Sequence, residues 1–146
     1  MKIPQEDIYN IIIGRTSIVV SRALLRNFRK RNITITMDQW SLLAILWKKD
    51  GCNQLELCKR SFREKTTLSR QLDKMEQENF IVRVPDRQDR RIRFIYLTAK
   101  GKSLEGLANQ VVEETYLQAI EGLSDEELQV TKTVLKRIVD NLSNTI

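Results

Sequence analysis

Arginines and aspartates crowd into one short stretch of the chain and could bind a polyanion. The segment from Arg83 to Arg93 contains five arginines and two aspartates. A guanidinium group binds a phosphate through two parallel hydrogen bonds, and a nearby carboxylate can hold it in place before the ligand arrives. Asp89 and Arg91 are two positions apart, so in an extended chain their side chains point the same way. The pattern favours binding of a polyanion such as nucleic acid, and the alternative is a solvated loop with ordinary charge scatter.

The absence of histidine narrows the chemistry open to the chain. Histidine is the usual general base and the commonest metal ligand, so Ser-His-Asp and Cys-His catalysis are excluded. The five glycines never adopt the spacing of a phosphate-binding loop. The adjacent glutamates at 113–114 and 126–127 face different ways on a helix and cannot act as a pair. We therefore expect a protein that is not an enzyme and that needs no metal or other cofactor.

The composition is typical of one ordered domain. The 146 residues are 41% hydrophobic and 30% charged, with a formal net charge of +6. No apolar run approaches the roughly 20 residues of a membrane span, and the first residues do not form a secretory signal. We expect a soluble, cytoplasmic protein with no membrane association. The charge is +5 over residues 1–52, +4 over 53–98 and −3 over 99–146, which favours a polyanion-binding part and a separate part with another role.

Helical spacing of apolar residues dominates the first third of the chain. It predicts a first helix over residues 7–30. Thr36 and Gln39 then form a capping box, in which each side chain bonds the backbone of the other residue. The box starts a second helix, which we expect to stop at Asp50 and Gly51.

Two short helices separated by a tight turn follow. Asn53 starts the first of them, with Leu55, Cys58 and Phe62 expected to face the interior. The second is expected over residues 65–79. This arrangement is the helix-turn-helix pattern.

A hairpin and two further helices complete the chain. Strands at 81–84 and 93–97, rich in β-branched and aromatic residues, flank a charged loop at 85–91. A long helix is predicted over 99–121, and a last helix begins after Ser124. The fold class is therefore mostly α with a small β-hairpin wing, a winged helix-turn-helix flanked by long terminal helices.

These motifs resemble those of the MarR (multiple antibiotic resistance regulator) family over essentially the whole chain. The most specific part is Asp-Arg-Gln-Asp-Arg-Arg at 86–91 with the strand and Leu-Thr-Ala-Lys-Gly that follow. It resembles the family's wing signature, D-x-x-D-R-R, a strand and L-T-x-x-G. Residues 66–76 are similar to the family's recognition helix. Asn79 stands where the family usually has glycine, and asparagine is the next best residue for a left-handed helix end.

The resemblance implies a fold and a function for the whole chain. It implies a single domain over 1–146, with a winged helix-turn-helix lobe at 36–98 and a helical dimerisation region at 1–35 and 99–146. It also implies a bacterial transcriptional repressor that binds a palindromic operator in double-stranded DNA as a homodimer. The wide apolar stripes of the terminal helices agree with an interface, although these helices could instead cover one another within a monomer.

The helix over 65–79 is expected to lie in the major groove, because its N-terminal end has free N–H groups and a positive dipole. Arg70 can bond a guanine through two hydrogen bonds, and the alternative is an ion pair with Asp73. Arg91, held by Asp89, suits a narrow minor groove. Hydroxyl groups are less selective, and the remaining cations are expected at phosphates or as braces of the wing. The expected DNA-binding residues are Arg63, Lys65, Thr66, Thr67, Ser69, Arg70, Lys74, Arg87, Asp89, Arg90 and Arg91.

Two tryptophans and two cysteines are candidate sensor residues. The family often binds small aromatic or amphipathic effectors between the dimer helices and the DNA-binding lobe. Trp40 and Trp47 lie near that place, but tryptophans at helical spacing are more often core residues, so no ligand residue is assigned. Some relatives sense oxidants through a cysteine thiolate. Cys52, in a loop near two lysines, is the better candidate, while Cys58 is expected to be buried and inert.

One other class of function fits the same elements. A winged helix can serve as an architectural or protein-interaction module that has no specific operator. Such a module binds any duplex with strong salt dependence, whereas a regulator prefers its own site.

Overall fold

Helices make up most of the chain, as expected for the predicted fold class. The structure is a computed structural model that describes residues 14–143. The helices of this part are α1 (Arg15–Lys30), α2 (Met37–Lys48), α3 (Gln54–Ser61), α4 (Lys65–Gln77), α5 (Ala99–Ser103), α6 (Glu105–Ala119) and α7 (Asp125–Ser143). The strands are β1 (Cys52–Asn53), β2 (Ile81–Pro85) and β3 (Arg93–Leu97). Of the first predicted helix, residues 7–13 lie outside the described residues, and the remainder forms α1.

The predicted helix starts are confirmed by their hydrogen bonds. Before α2, the Thr36 hydroxyl accepts from the Gln39 N–H at 3.1 Å, and the Gln39 side chain accepts from the Thr36 N–H at 3.0 Å. Before α3, the Asn53 side chain accepts from the Glu56 N–H at 2.8 Å. The Glu56 carboxylate does not accept the reciprocal hydrogen bond from the Asn53 N–H, and it accepts one from Lys49 at 2.6 Å instead. Each local pattern therefore starts the helix that it predicted.

The end of α4 is also as predicted. Asn79 has a positive φ of 63°, and its N–H bonds the Glu76 carbonyl oxygen at 3.0 Å. The Phe80 N–H bonds the Met75 carbonyl oxygen at 2.9 Å. This pair of bonds is the Schellman ending, in which a left-handed residue turns the chain away from the helix. Asparagine thus does here what glycine usually does.

The wing contains one strand more than the hairpin predicted from the sequence. The sheet has the order β1-β3-β2, and both neighbours are antiparallel. Cys52 pairs with Ile95, and Arg83 lies opposite the same residue on β2. The two residues of β1 were too few for an alternating pattern to reveal them.

The core lies between the helices and one face of the sheet. Its fully buried members include Phe28, Leu42, Leu43, Leu46, Leu57, Leu68, Leu72, Met75, Ile81, Ile95 and Val111. Trp40 and Trp47 are partly buried against this cluster, and the Trp47 indole N–H donates to the Gly101 carbonyl oxygen at 2.9 Å. Both tryptophans therefore pack as core residues.

The predicted inner face of α3 was wrong. Leu55 and Phe62 are 66% and 78% exposed, and Leu57 is fully buried instead. The helix ends at Ser61, and Phe62 adopts a left-handed conformation with φ 53°, so helical spacing does not extend to it. Packing against α2, α4 and the sheet turns the face that carries Leu57 inward.

The two cysteines also differ from the prediction. Cys52 is 1% exposed in β1, and burial, followed by the charge of Glu56, raises the pKa of its thiol. A raised pKa leaves little thiolate, which is the reactive form, so Cys52 is a poor redox candidate. Cys58 is only partly buried, because it lines a cleft beside the wing.

The predicted long helix after the wing is interrupted at Leu104. The short α5 is fixed to the wing, because Thr98 caps it and the Thr98 hydroxyl also donates to the Phe80 carbonyl oxygen. The following α6 packs along α1, where Asn27 donates to the buried Thr115 hydroxyl at 2.9 Å. The two helices therefore pack against different neighbours, α5 against the wing and α6 against α1. Gly122, with φ 80°, ends this region as predicted.

The last helix stands apart from the core. None of the residues of α7 is buried, although its apolar side chains are numerous. Those that are about half exposed or more include Val130, Val134, Leu135, Val139 and Leu142. Within residues 14–143, no helix is long and apolar enough to cross a membrane.

Gly101 occupies the closest approach between α5 and the wing. A Cβ atom at this position would lie 2.3 Å from the Phe80 carbonyl oxygen. That oxygen accepts hydrogen bonds from the N–H and the hydroxyl of Thr98, so it cannot move freely. The glycine of the wing signature is therefore required by packing.

We expect Gly101→Ala to lower the free energy of unfolding by about 1–3 kcal/mol, because the added methyl group overpacks a fixed backbone contact. Gly106→Ala is the matched control, since a Cβ atom there meets nothing within 4 Å. This control should raise the free energy of unfolding by about 0.5–1 kcal/mol through helix propensity. Urea unfolding followed by circular dichroism measures both. Equal effects of the two substitutions would contradict the close approach.

Candidate nucleic-acid interface

The two faces of α4 have opposite characters. Leu68, Leu72 and Met75 are fully buried and seat the helix on the core. The other face is exposed and polar. Of the predicted contact residues it carries Lys65, Thr66, Thr67, Arg70 and Lys74. The Glu64 side chain makes no capping hydrogen bond at the helix start, so the first N–H groups stay open to an anion.

Arg70 is free of the ion pair that was its alternative role. Asp73 pairs with Arg83 at 2.6 Å, and no acid of the described residues lies within ion-pair distance of Arg70. Its exposed guanidinium is therefore available for a ligand. Ser69 is partly buried, and its hydroxyl accepts from the Gln54 side chain at 2.6 Å. Gln54 thus fixes the orientation of one predicted contact residue.

Arg63 is partly buried and bonded to two residues of α2. Its guanidinium donates to the Asp38 carboxylate at 2.9 Å and to the Ser41 hydroxyl at 2.7 Å. Its side chain is only 17% exposed. These bonds tie the turn between α3 and α4 to the start of α2. Unlike the exposed cations of α4, Arg63 is therefore already paired within the protein.

The wing loop presents the fork predicted from the spacing of Asp89 and Arg91. The Arg91 Nε and Nη2 atoms donate to the two Asp89 carboxylate oxygens, each at 3.0 Å. The Arg91 side chain is nevertheless 89% exposed. The Arg91 guanidinium holds the pKa of the Asp89 carboxyl below its usual value. The carboxylate therefore stays ionised to a lower pH than that of an unpaired aspartate.

The fork forms in a turn and not in the extended chain assumed from the sequence. The Ile92 N–H bonds the Asp89 carbonyl oxygen at 2.9 Å, and the Asp86 N–H bonds the Ile92 carbonyl oxygen at 2.8 Å. The Arg91 N–H also bonds the Asp89 carboxylate at 3.0 Å. One aspartate side chain thus shapes the loop and orients the arginine together.

Arg87 and Arg90 are exposed in the same loop. No carboxylate of the described residues lies within ion-pair distance of either. They are therefore free cations beside the fork, as a phosphate contact requires.

A cleft of about 570 Å³ separates α3 and the start of α4 from the base of the wing. Its apolar wall includes the exposed Leu55 and Ile92, and Cys58 also lines it. Its cations are Lys65, Arg83, Arg91 and Arg93. The cleft explains why Leu55 and Cys58 are accessible, because it separates them from the wing. In residues 14–143 no group of three possible ligand side chains could hold a metal ion.

Sequence reasoning missed the role of Arg83, which it counted only as one cation of a basic segment. Arg83 is partly buried and pairs with both Asp73 and Glu76 of α4. A signal was present, because acids three positions apart on a helix share a face. Pairing them with an arginine of the next strand required the register of the sheet.

Comparisons with known proteins agree with the fold and the motifs. The MarR family model matches residues 35–92. An uncharacterised HTH-type transcriptional regulator, YybA of Bacillus subtilis (strain 168), is 27% identical over 126 residues, which cover 85% of this chain and 84% of YybA.

Solved structures extend the likeness beyond the wing and the helix-turn-helix. The transcriptional regulator SlyA superimposes with a TM-score of 0.79 at 26% identity, covering 91% of this chain and 95% of SlyA. A MarR-family regulator of Listeria monocytogenes, solved with a 26mer DNA, gives a TM-score of 0.81 at 21% identity and covers 99% of this chain and 92% of its own. In the wing motif, the winged helix-turn-helix fold and these matches, the chain is similar to proteins of the MarR family.

Proposed function

We propose that this protein is a sequence-specific transcriptional regulator that represses by binding a palindromic operator in double-stranded DNA as a homodimer. The observation that carries the proposal is the Asp89–Arg91 fork. Its guanidinium is oriented by two hydrogen bonds and yet is almost fully exposed. An arginine kept in this state on a protruding loop is suited to a ligand outside the protein.

The recognition helix α4 supplies the major-groove contacts in this proposal. Arg70 reads a guanine edge, and Thr66, Thr67 and Ser69 contact bases or phosphates. Lys65 and Lys74, which are exposed on the same helix, neutralise phosphates. The exposed polar face and the apolar seat of α4 support this orientation.

The wing supplies the minor-groove contact. Arg91 enters an A·T-rich stretch, whose narrow groove concentrates negative potential. Arg87 and Arg90 contact the backbone or brace the wing, and Asp89 aims Arg91. The carboxylate repels DNA, so its presence in the loop is accounted for by this orienting role.

The terminal helices supply the dimer interface. No apolar side chain of α7 is buried within residues 14–143, and α1 also exposes Ile18, Val19 and Val20. A second copy of the chain would bury these faces together and place two recognition helices on one duplex. A palindromic operator follows from that symmetry.

A small aromatic or amphipathic effector completes the proposal as the signal that releases the DNA. Support comes from a cleft of about 410 Å³ where α1 meets the DNA-binding lobe. Arg29, Lys74, Ile33 and Ile35 line it, so it offers both positive charge and apolar surface. A DNA-binding regulator of this kind works in the cytoplasm.

The first test is retention of the DNA that flanks the protein's own gene, at two salt concentrations and with excess random duplex as competitor. We expect a complex that survives competition and protects a palindrome, with a preference of about 10³ or more over random duplex. Binding that random duplex abolishes, with the same salt dependence, would instead indicate an architectural module without a specific operator.

Arg91→Ala tests the minor-groove contact. We expect the variant to lose about tenfold in affinity for an operator with A·T-rich flanks, and to lose most of its preference for those flanks over G·C-rich ones. Arg90→Ala removes the same charge from the neighbouring exposed position. It should weaken binding to both flanks equally. Fluorescence anisotropy with the A·T-flanked and the G·C-flanked operator measures both variants. Equal flank preference in wild type and Arg91→Ala would contradict the assignment of Arg91 to the minor groove.

Leu135→Glu tests the dimer. The substitution removes a leucine whose burial contributes about 1.5–3 kcal/mol and adds a charge, so self-association should weaken at least about tenfold. Thr133→Glu adds the same charge on the opposite face of α7 and should leave the association unchanged. Sedimentation velocity across a concentration series measures both. A wild-type chain that stays monomeric at micromolar concentration would refute the interface.

A further inference from the structure

Arg83 connects the wing to the recognition helix through two separate carboxylates. Its Nη2 atom donates to Asp73 at 2.6 Å, and its Nε atom donates to Glu76. The two acids are three positions apart on α4, so they lie on one face of the helix. Because the guanidinium is a rigid plane with donors on different edges, two partners fix both its position and its rotation.

These ion pairs differ from ordinary surface pairs in their burial. The Arg83 side chain is only 16% exposed, while Asp73 and Glu76 are 57% and 40% exposed. Burial lowers the pKa of Arg83, but the hydrogen bonds and charges of Glu76 and Asp73 outweigh it and raise the pKa above its usual value. A partly buried pair is also less screened by salt than an exposed one.

The position of Arg83 along β2 gives the contact its mechanical importance. Ile81, at the start of the strand, is fully buried, but Val82 and Val84 are 45% and 46% exposed. Beyond Ile81, Arg83 is the only β2 side chain on the inner face of the strand that the structure shows bonded to α4. The outer half of β2 therefore depends on this one arginine for its attachment to the helix.

The charge of the group argues against a role in attracting DNA. One arginine and two acids sum to −1, and they lie beside the cleft that carries Lys65, Arg91 and Arg93. A surplus of negative charge weakens the attraction of a nearby polyanion. The acids must therefore contribute something else to a DNA-binding surface, and their geometry indicates that they hold Arg83.

We propose that Arg83 is a positioning residue that holds the wing at a fixed angle to the recognition helix, and that Asp73 and Glu76 support DNA binding through it in spite of their charge. The inference rests on the proposed function. In this arrangement Arg70 and Arg91 read their two grooves as parts of one rigid unit. None of the three residues Arg83, Asp73 and Glu76 needs to touch DNA.

Neutralising the two acids is a sharp test, because their charge and their positioning role predict opposite changes in operator affinity. Glu76→Gln and Asp73→Asn each remove a negative charge, which by electrostatics alone tightens binding to any duplex. We expect them instead to lower operator affinity about tenfold, because the wing is no longer held at a fixed angle to α4. Affinity for random duplex should stay the same or rise. Glu64→Gln is the matched control. It removes an exposed acid directly before α4 for which the described residues show no ion pair, and it should not lower operator affinity.

A double-mutant cycle separates positioning from stability. In the wild-type background, Arg91→Ala should cause the full loss of operator affinity that belongs to the wing contact. In the Arg83→Met background, which keeps the apolar stem but not the fork, the same substitution should matter at least about threefold less. Arg83→Lys restores the charge but cannot bridge both acids, so it should behave like Arg83→Met. Thermal unfolding of each variant shows that the fold persists.

The outcomes distinguish the inference from the function on which it rests. A wild-type protein without operator preference overturns the proposed function. A wild-type protein with that preference, whose Glu76→Gln and Asp73→Asn variants bind the operator as tightly as Glu64→Gln does, overturns the inference alone. So does an Arg91→Ala loss that is the same in both Arg83 backgrounds.

Discussion

The contact of Gly101 with the Phe80 carbonyl oxygen is the point on which the arrangement of this protein depends. Three parts of the chain meet there: the Schellman ending of α4, the end of β3 and the start of α5. Thr98 bonds the same carbonyl oxygen and caps α5, and the Trp47 indole bonds the carbonyl oxygen of Gly101. The direction in which the chain leaves the wing is therefore set by backbone contacts that admit no side chain. Through them the winged helix-turn-helix has a fixed relation to α6, which packs along α1.

How far the sequence could predict this structure depends on how local each determinant is. Thr36, Asn53 and Asn79 act on backbone within a few residues, so their roles could be read directly from the chain. The fork of Asp89 and Arg91 was equally local, and it forms although the loop is a turn. Leu55 could not be placed in this way. Its exposure depends on how a two-turn helix rolls between three neighbours, which spacing within the helix does not determine.

Other features were beyond sequence reasoning because they depend on partners distant in the chain. Cys52 looked like a loop residue next to lysines, but pairing with Ile95 buries it in a strand of two residues. Arg83 looked like one more cation of a basic segment, but the sheet register aims it at α4 and not outward. In both cases a strand pairing decides whether a polar group meets solvent, and so it decides the chemistry of that group.

The fork on the wing also has a consequence for the entropy of association. A free arginine side chain samples many rotamers, and ordering it against a ligand opposes binding. In this protein the two hydrogen bonds to Asp89 already restrict the Arg91 side chain while it is still surrounded by water. Part of its rotamer freedom is therefore lost when the chain folds, so less would remain to be lost if this side chain bound a ligand.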